Sequence, residues 1–152
     1  MVHVFQIDPV PASRPRVSKY GTYYLPTYRA FKKQMQELVA KDRKQFKKAE
    51  GPLNVVVMCC VERPKTTKRD YPTGDVDNYA KAVLDSLNGV MWDDDDQILE
   101  LVVRKAYCDD DKPFIYVEVN ADETIQSHLP AEVSKMRKQR KGSKCRQSSR
   151  VR

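Results

Sequence analysis

Apolar and polar side chains alternate from Val2 to Ile7 and the alternation stops at Asp8-Pro9, the pattern of a half-buried strand entering a turn. From Pro9 to Pro26 the chain holds four prolines, Arg14, Arg16, Lys19 and three tyrosines, which suits an exposed loop or short hairpin. Thr27 then offers an N-cap for a helix to about Lys48. That helix would place Phe31, Met35, Leu38, Val39 and Phe46 near one side, with most lysines elsewhere, and Gly51-Pro52 would end it. Leu53 to Val61 (LNVVVMCCV) is a nearly continuous apolar run centred on β-branched valines, short enough and bordered so as to predict a buried central strand. A basic, proline-containing loop follows over residues 62–74.

Helical spacing returns at Ala80, Val83, Leu84 and Leu87, predicting an amphipathic helix from Asp75 to Asn88 with Gly89 as its stop. Val90-Met91-Trp92 leads into four consecutive acids, Asp93 to Asp96. The strand-like runs Gln97 to Tyr107 and Pro113 to Asn120, joined by CDDDK, predict an antiparallel hairpin at the sheet edge. The order β-α-β-α-β-β defines a single α+β domain over residues 1–123, a mixed sheet packed with helices. Residues 124–152 lose apolar content and end in a basic, small-residue-rich stretch, the signature of a disordered tail or of an arm that orders on a polyanion.

Composition narrows the function classes. At 152 residues there is room for one catalytic domain and a tail. No stretch approaches the roughly 18 apolar residues needed to cross a bilayer, and the first residues lack a secretion-signal layout, so a cytoplasmic protein with no membrane partner is expected. Cys59, Cys60, Cys108 and Cys145 form no CxxC pair and have no histidine at zinc-finger spacing, so they are read as reduced thiols.

The formal net charge of +7 conceals three blocks. Residues 1–69 carry 15 basic and 5 acidic side chains, residues 70–134 carry 4 and 16, and residues 135–152 carry 9 basic and none acidic. Like charges gathered on a surface repel unless a ligand neutralises them, so a polyanion partner and a cation site are both implied; two merely solvated surfaces explain charge alone equally well.

Spacing decides between these. Asp75 and Asp77 flank a helix start, where N–H groups and the dipole favour carboxylates; capping accounts for one aspartate, not two. Asp93 to Asp96 are costly to gather unless a cation compensates. An all-carboxylate, histidine-poor set suits Mg²⁺, with Mn²⁺ as a substitute, and no small-molecule cofactor. Lys81 lies one helical turn after Asp77 and Asp85 one turn further, so Asp77, Lys81 and the acid run can converge. The plain alternative for Lys81 is an i,i+4 ion pair with Asp77.

The segment DVDNYAKAVLDSLNGVMWDDDDQI resembles the RusA family of Holliday junction resolvases, in which Asp-x-Asp-Asn, a lysine four residues after the second aspartate, and Asp-Asp-x-Gln recur across a short helix. Asn78, Asp85, Gly89 and Gln97 also match, and PVPASRPRVSKYGTYYLP resembles the family's N-terminal basic loop. The resemblance spans roughly residues 1–120 and implies a RusA-like fold and a homodimer that nicks four-way DNA junctions symmetrically. It also implies that Asp75, Asp77 and Asp95 are catalytic, metal-binding carboxylates, with Asp94 a helper in both roles and Lys81 the essential cation. Asp93 and Asp96 have no assigned role.

Arg14, Arg16, Lys19, Arg63, Lys65, Lys68 and Arg69 are candidate phosphate contacts, and Tyr20, Tyr23 and Tyr24 candidates for stacking on unpaired bases. Two rivals remain open on these residues: a noncatalytic DNA-binding protein, and a metal-dependent nuclease acting on flaps or forks.

Overall fold

In the apolar run Leu53 to Val61, alternate side chains are driven to opposite faces of a pleated strand, and one of those faces is sealed. In a computed structural model describing residues 1–41, 46–108 and 112–122, Leu53, Val55, Val57 and Cys59 of the strand Leu53–Glu62 are all buried on one face. The elements in chain order are β1 (Val2–Phe5), β2 (Arg16–Ser18), β3 (Gly21–Tyr23), α1 (Pro26–Lys41), β4 (Leu53–Glu62), α2 (Val76–Leu87), β5 (Ile98–Cys108) and β6 (Phe114–Ala121). The α+β class expected from the pattern is what forms, with β2 and β3 as a separate hairpin. Met1–Asp122 make one compact unit. The basic tail at residues 124–152 lies outside the described residues.

The main sheet has the order β1-β6-β4-β5, with β4 parallel to β5 and antiparallel to β6. The expected β5–β6 hairpin therefore does not form. β4 needs partners on both edges, and α2 supplies the crossover that a parallel β4–β5 pair requires. β6, with Ile115, Val117 and Val119 buried, takes the interior place opposite Val57 and its neighbours. β5 exposes Leu99 to Val102 and takes the edge. Burial across the sheet outweighs nearness in sequence.

α1 begins with Pro26 in its first turn, where a missing N–H costs nothing; Arg29 N–H bonds to Leu25 O at 3.1 Å, and Thr27 is inside the helix rather than its cap. Tyr28, Phe31, Met35 and Val39 form its buried stripe. The helix is described as far as Lys41, residues 42–45 lie outside the described residues, and Phe46 to Lys48, expected to continue it, are not helical. Phe46 instead stacks on His3 at 4.7 Å and on Phe5 at 5.9 Å, and Ala49 N–H bonds to Met91 O at 2.8 Å. Those interactions with β1 and with the turn before the acid run replace the last helical turn. α2 packs on α1 and on β4 and β5, closing one core that also holds Met91 and Trp92. No helix among the described residues is long and apolar enough to cross a membrane.

Candidate active site

The chain just before α2 is fixed by its carbonyls. Lys105 of β5 donates to Pro72 O at 2.9 Å and also to Gly74 O, and the Tyr79 hydroxyl donates to Thr73 O at 3.0 Å. Burial, then the neighbouring Cys59, Asp8 and Tyr107, push the Tyr79 phenol up to about 12, so it remains a donor. Gly74 has φ +85°, a conformation that strains any residue with a Cβ, and a Cβ there would also stand a tight 3.2 Å from Pro11 and 3.3 Å from the Tyr79 ring, so both conformation and space favour glycine. Asp75 follows directly as the N-cap residue of α2.

Its carboxylate makes no capping bond; it accepts from Asn78 Nδ2 at a marginal 3.5 Å. Asp77 is exposed in the first turn. Capping thus explains the side chain of neither aspartate. Along the same helix, Asp77, Lys81 and Asp85 line a groove of about 610 Å³ whose apolar lining includes Leu84, Leu101 and Val103, and Asp95 enters it from the acid run. Lys81 Nζ lies 3.8 Å from Asp85 Oδ1, so its ion pair runs forward along the helix and not back to Asp77. The Tyr28 hydroxyl of α1 donates to Asp85 Oδ2 at 2.8 Å. Burial foremost, then that bond to Asp85, raise the Tyr28 pKa well above the usual phenol range and keep the donor protonated.

The four acids are distributed by their surroundings. Asp93 is bound by Lys48 at 2.5 Å. Gln97 Oε1 accepts from the backbone N–H groups of Asp93 (2.6 Å) and Asp94 (3.1 Å), while its Nε2 donates to Gly51 O at 2.9 Å. Asp94 is exposed at the N-cap of a single 3-10 turn, Asp95–Gln97. Asp95 is half-buried, its Oδ1 accepting from Trp92 Nε1 at 2.7 Å. Asp96 is exposed.

Of the residues expected from sequence, the groove thus unites Asp77, Asp95 and Lys81, while Asp75 and Asp94 do not line it. Among the described residues no three acid, histidine or cysteine side chains are grouped to hold a metal ion by themselves. Three carboxylates line the groove; Asp85 is taken up by Lys81 and Tyr28, and the other two, Asp77 and Asp95, match the partial donor set of Mg²⁺, which keeps several waters and takes substrate phosphate oxygens as further ligands. Sequence reasoning missed the supports: Tyr28 falls on the period of the buried α1 stripe, where a side chain reads as core and not as a donor to the site, and Trp92 and Lys105 gave no periodic signal. Asp85 was visible through its i+4 spacing from Lys81 and through its match to the family pattern.

Arg14, Arg16 and Lys19 are exposed on and beside the β2–β3 hairpin, as is Tyr20, whose ring lies 4.9 Å from Lys19 Nζ. The hairpin's base is bound to α2 by Ala12 N–H to Asn78 O at 2.8 Å, so this basic element springs from the helix that carries Asp77 and Lys81. Arg63, Lys65, Lys68 and Arg69 are exposed in the loop after β4. Arg63 also braces that loop, donating to Arg69 O at 3.1 Å and lying 4.5 Å from the Tyr107 ring.

Carboxylates beside a lysine, at the root of a basic arm, suit a class of protein, the hydrolases that act on the phosphodiester backbone of nucleic acid. The particular family follows from comparison, since residues 6–120 match the family described as endodeoxyribonuclease RusA, and the chain belongs to that family. It is an enzyme that hydrolyses DNA, an endonuclease of the Holliday junction resolving kind that acts on branched DNA. The chain is also similar to an uncharacterised protein, YqaN, of Bacillus subtilis (strain 168), 30% identical over 132 residues that cover 75% of this chain and 93% of the relative. The purely DNA-binding alternative is thereby set aside.

Proposed function

We propose that this chain resolves four-way DNA junctions by paired, symmetrical nicks during recombination and repair, as a divalent-metal-dependent homodimer. The observation that carries this is the arrival of Asp77, from a helix, and Asp95, from a separate turn, in one groove beside Lys81. Asp77 and Asp95 would hold Mg²⁺ or Mn²⁺, with Asp75 and Asp94 completing the set when a phosphate is bound. Such an ion supplies neutralisation of the phosphate charge and a lowered pKa for the attacking water. Lys81 offers its ammonium to the negative charge that develops on the phosphate oxygens, and Asp85 holds that ammonium over the groove. Arg14, Arg16, Lys19, Arg63, Lys65, Lys68 and Arg69 grip backbone phosphates on either side.

The test is nicking of synthetic four-way, flap and linear DNA with and without Mg²⁺. Paired nicks confined to the four-way substrate and requiring the metal are expected. Asp77→Asn and Asp95→Asn should each abolish nicking and retain junction binding; retained nicking in either refutes the assignment, and preferential cutting of flaps would move the substrate to forks and flaps.

A further inference from the structure

Trp92 is fully buried, so its one polar atom, the indole N–H, must find an acceptor inside the fold. It does not use a backbone carbonyl. It donates to Asp95 Oδ1 at 2.7 Å, a charge-assisted bond from the core to a half-buried carboxylate at the groove. A carboxylate has about four acceptor sites, so a single such donor fixes the group's orientation and leaves most of its lone pairs for another ligand. The neighbouring acids are restrained differently: Asp93 by Lys48, and the backbone of Asp93 and Asp94 by Gln97. Within the run, Asp95 is the acid that both lines the groove and bonds directly to a core side chain.

We propose that Trp92 is the positioning residue of the acid run: its indole N–H holds the Asp95 carboxylate aimed for a divalent cation. The inference rests on the function proposed above, in which Asp95 is a metal ligand. Donors behind a metal ligand orient it and tune its basicity, and losing one typically weakens metal binding about 10–100-fold.

The chain has one tryptophan, so residue-specific replacement by benzothienylalanine exchanges the N–H for sulfur at this position alone while keeping the ring's shape. Trp92→Phe makes the same deletion with a smaller ring. Mn²⁺ binding to the full-length chain, read from the paramagnetic resonance of the free ion, should weaken at least about 10-fold in the benzothienyl protein. In the unsubstituted chain the single tryptophan's fluorescence should be quenched by Mn²⁺ with the same midpoint, and the quench should vanish in Asp95→Asn. Combining Trp92→Phe with Asp95→Asn should weaken binding no further than Asp95→Asn alone, because the N–H acts through that carboxylate. Unchanged Mn²⁺ affinity in a folded benzothienyl protein overturns the role of Trp92 while leaving the metal site standing. Unchanged Mn²⁺ affinity and nicking in Asp95→Asn instead overturns the underlying site assignment.

Discussion

Lys81 is about as exposed as a surface lysine, with 60% of its side chain accessible, and at that exposure its ion pair with Asp85 contributes only about 0–1 kcal/mol to stability. The pair therefore matters for where the ammonium sits rather than for how firmly the domain folds. Asp85→Asn keeps an oxygen acceptor for the Tyr28 hydroxyl but removes the charge facing Lys81. We expect kcat for nicking to fall about tenfold, equivalent to about 1.4 kcal/mol of transition-state stabilisation, with junction affinity and the denaturation midpoint nearly unchanged. Loss of stability without loss of kcat would assign Asp85 to packing alone. A second residue-scale consequence comes from His3, whose pKa is held below 6.5 by burial first and by the N-terminal ammonium second. Below that value the unfolded chain takes up a proton that the folded chain resists, so stability falls as pH drops through the histidine range. Urea unfolding at about pH 7.5 and about pH 5.5 should show a smaller midpoint difference in His3→Gln than in the parent chain. An identical difference would exclude His3 as its source.

At the level of elements, the β2–β3 hairpin is distinctive because both strands are exposed along their whole length, and so it contributes little to the core. Its internal order comes from the strand register Arg16↔Tyr23 to Ser18↔Gly21 and from the Ser18 hydroxyl, which donates to Gly21 O at 3.1 Å. An element with positive charge and no core role suits a grip on phosphates. The double substitution Arg14→Ala and Arg16→Ala should leave thermal stability unchanged, weaken junction binding, and reduce the slope of log affinity against log salt by about 0.9 for each phosphate that is no longer neutralised. Affinity and slope that both stay at the parent values would remove the hairpin from the interface. α2 makes the opposite case, since one helix face serves the core through Ala80, Val83 and Leu87 while the adjoining face presents Asp77, Lys81 and Asp85 to the groove.

For the whole molecule, the proposed function gives the separation of charge a reading, with the basic blocks gripping DNA and the acidic block cutting it. Residues 135–152 carry nine positive charges with none negative, and counterion release from such a segment adds affinity without defined structure. Deleting them should lower junction affinity, most strongly at low salt, and leave the single-turnover nicking rate of the bound complex intact. If the rate fell and affinity did not, the tail would belong to the catalytic apparatus.

The sequence by itself determined the class of fold, because periods of two and of about 3.6 are local consequences of how a strand or a helix buries one face. It also determined that Asp77, Lys81 and Asp85 share one side of α2, since helical geometry alone sets that relation. Only the tertiary structure decided the strand neighbours, because whether β5 pairs with β6 or flanks β4 depends on which strand has the more apolar faces to bury and on the crossover through α2. In the acid run, four identical side chains give no local chemical reason to choose among them, and only the Asp-Asp-x-Gln resemblance, anchored on Gln97, singled out Asp94 and Asp95; how each acid is held was decided by the tertiary structure. Lys48 and Gly51 anchor the turn from distant positions, the latter through Gln97 within it, Trp92 holds Asp95 from the core, and the resulting division between Asp95 in the groove and Asp93 in an ion pair is a product of folding.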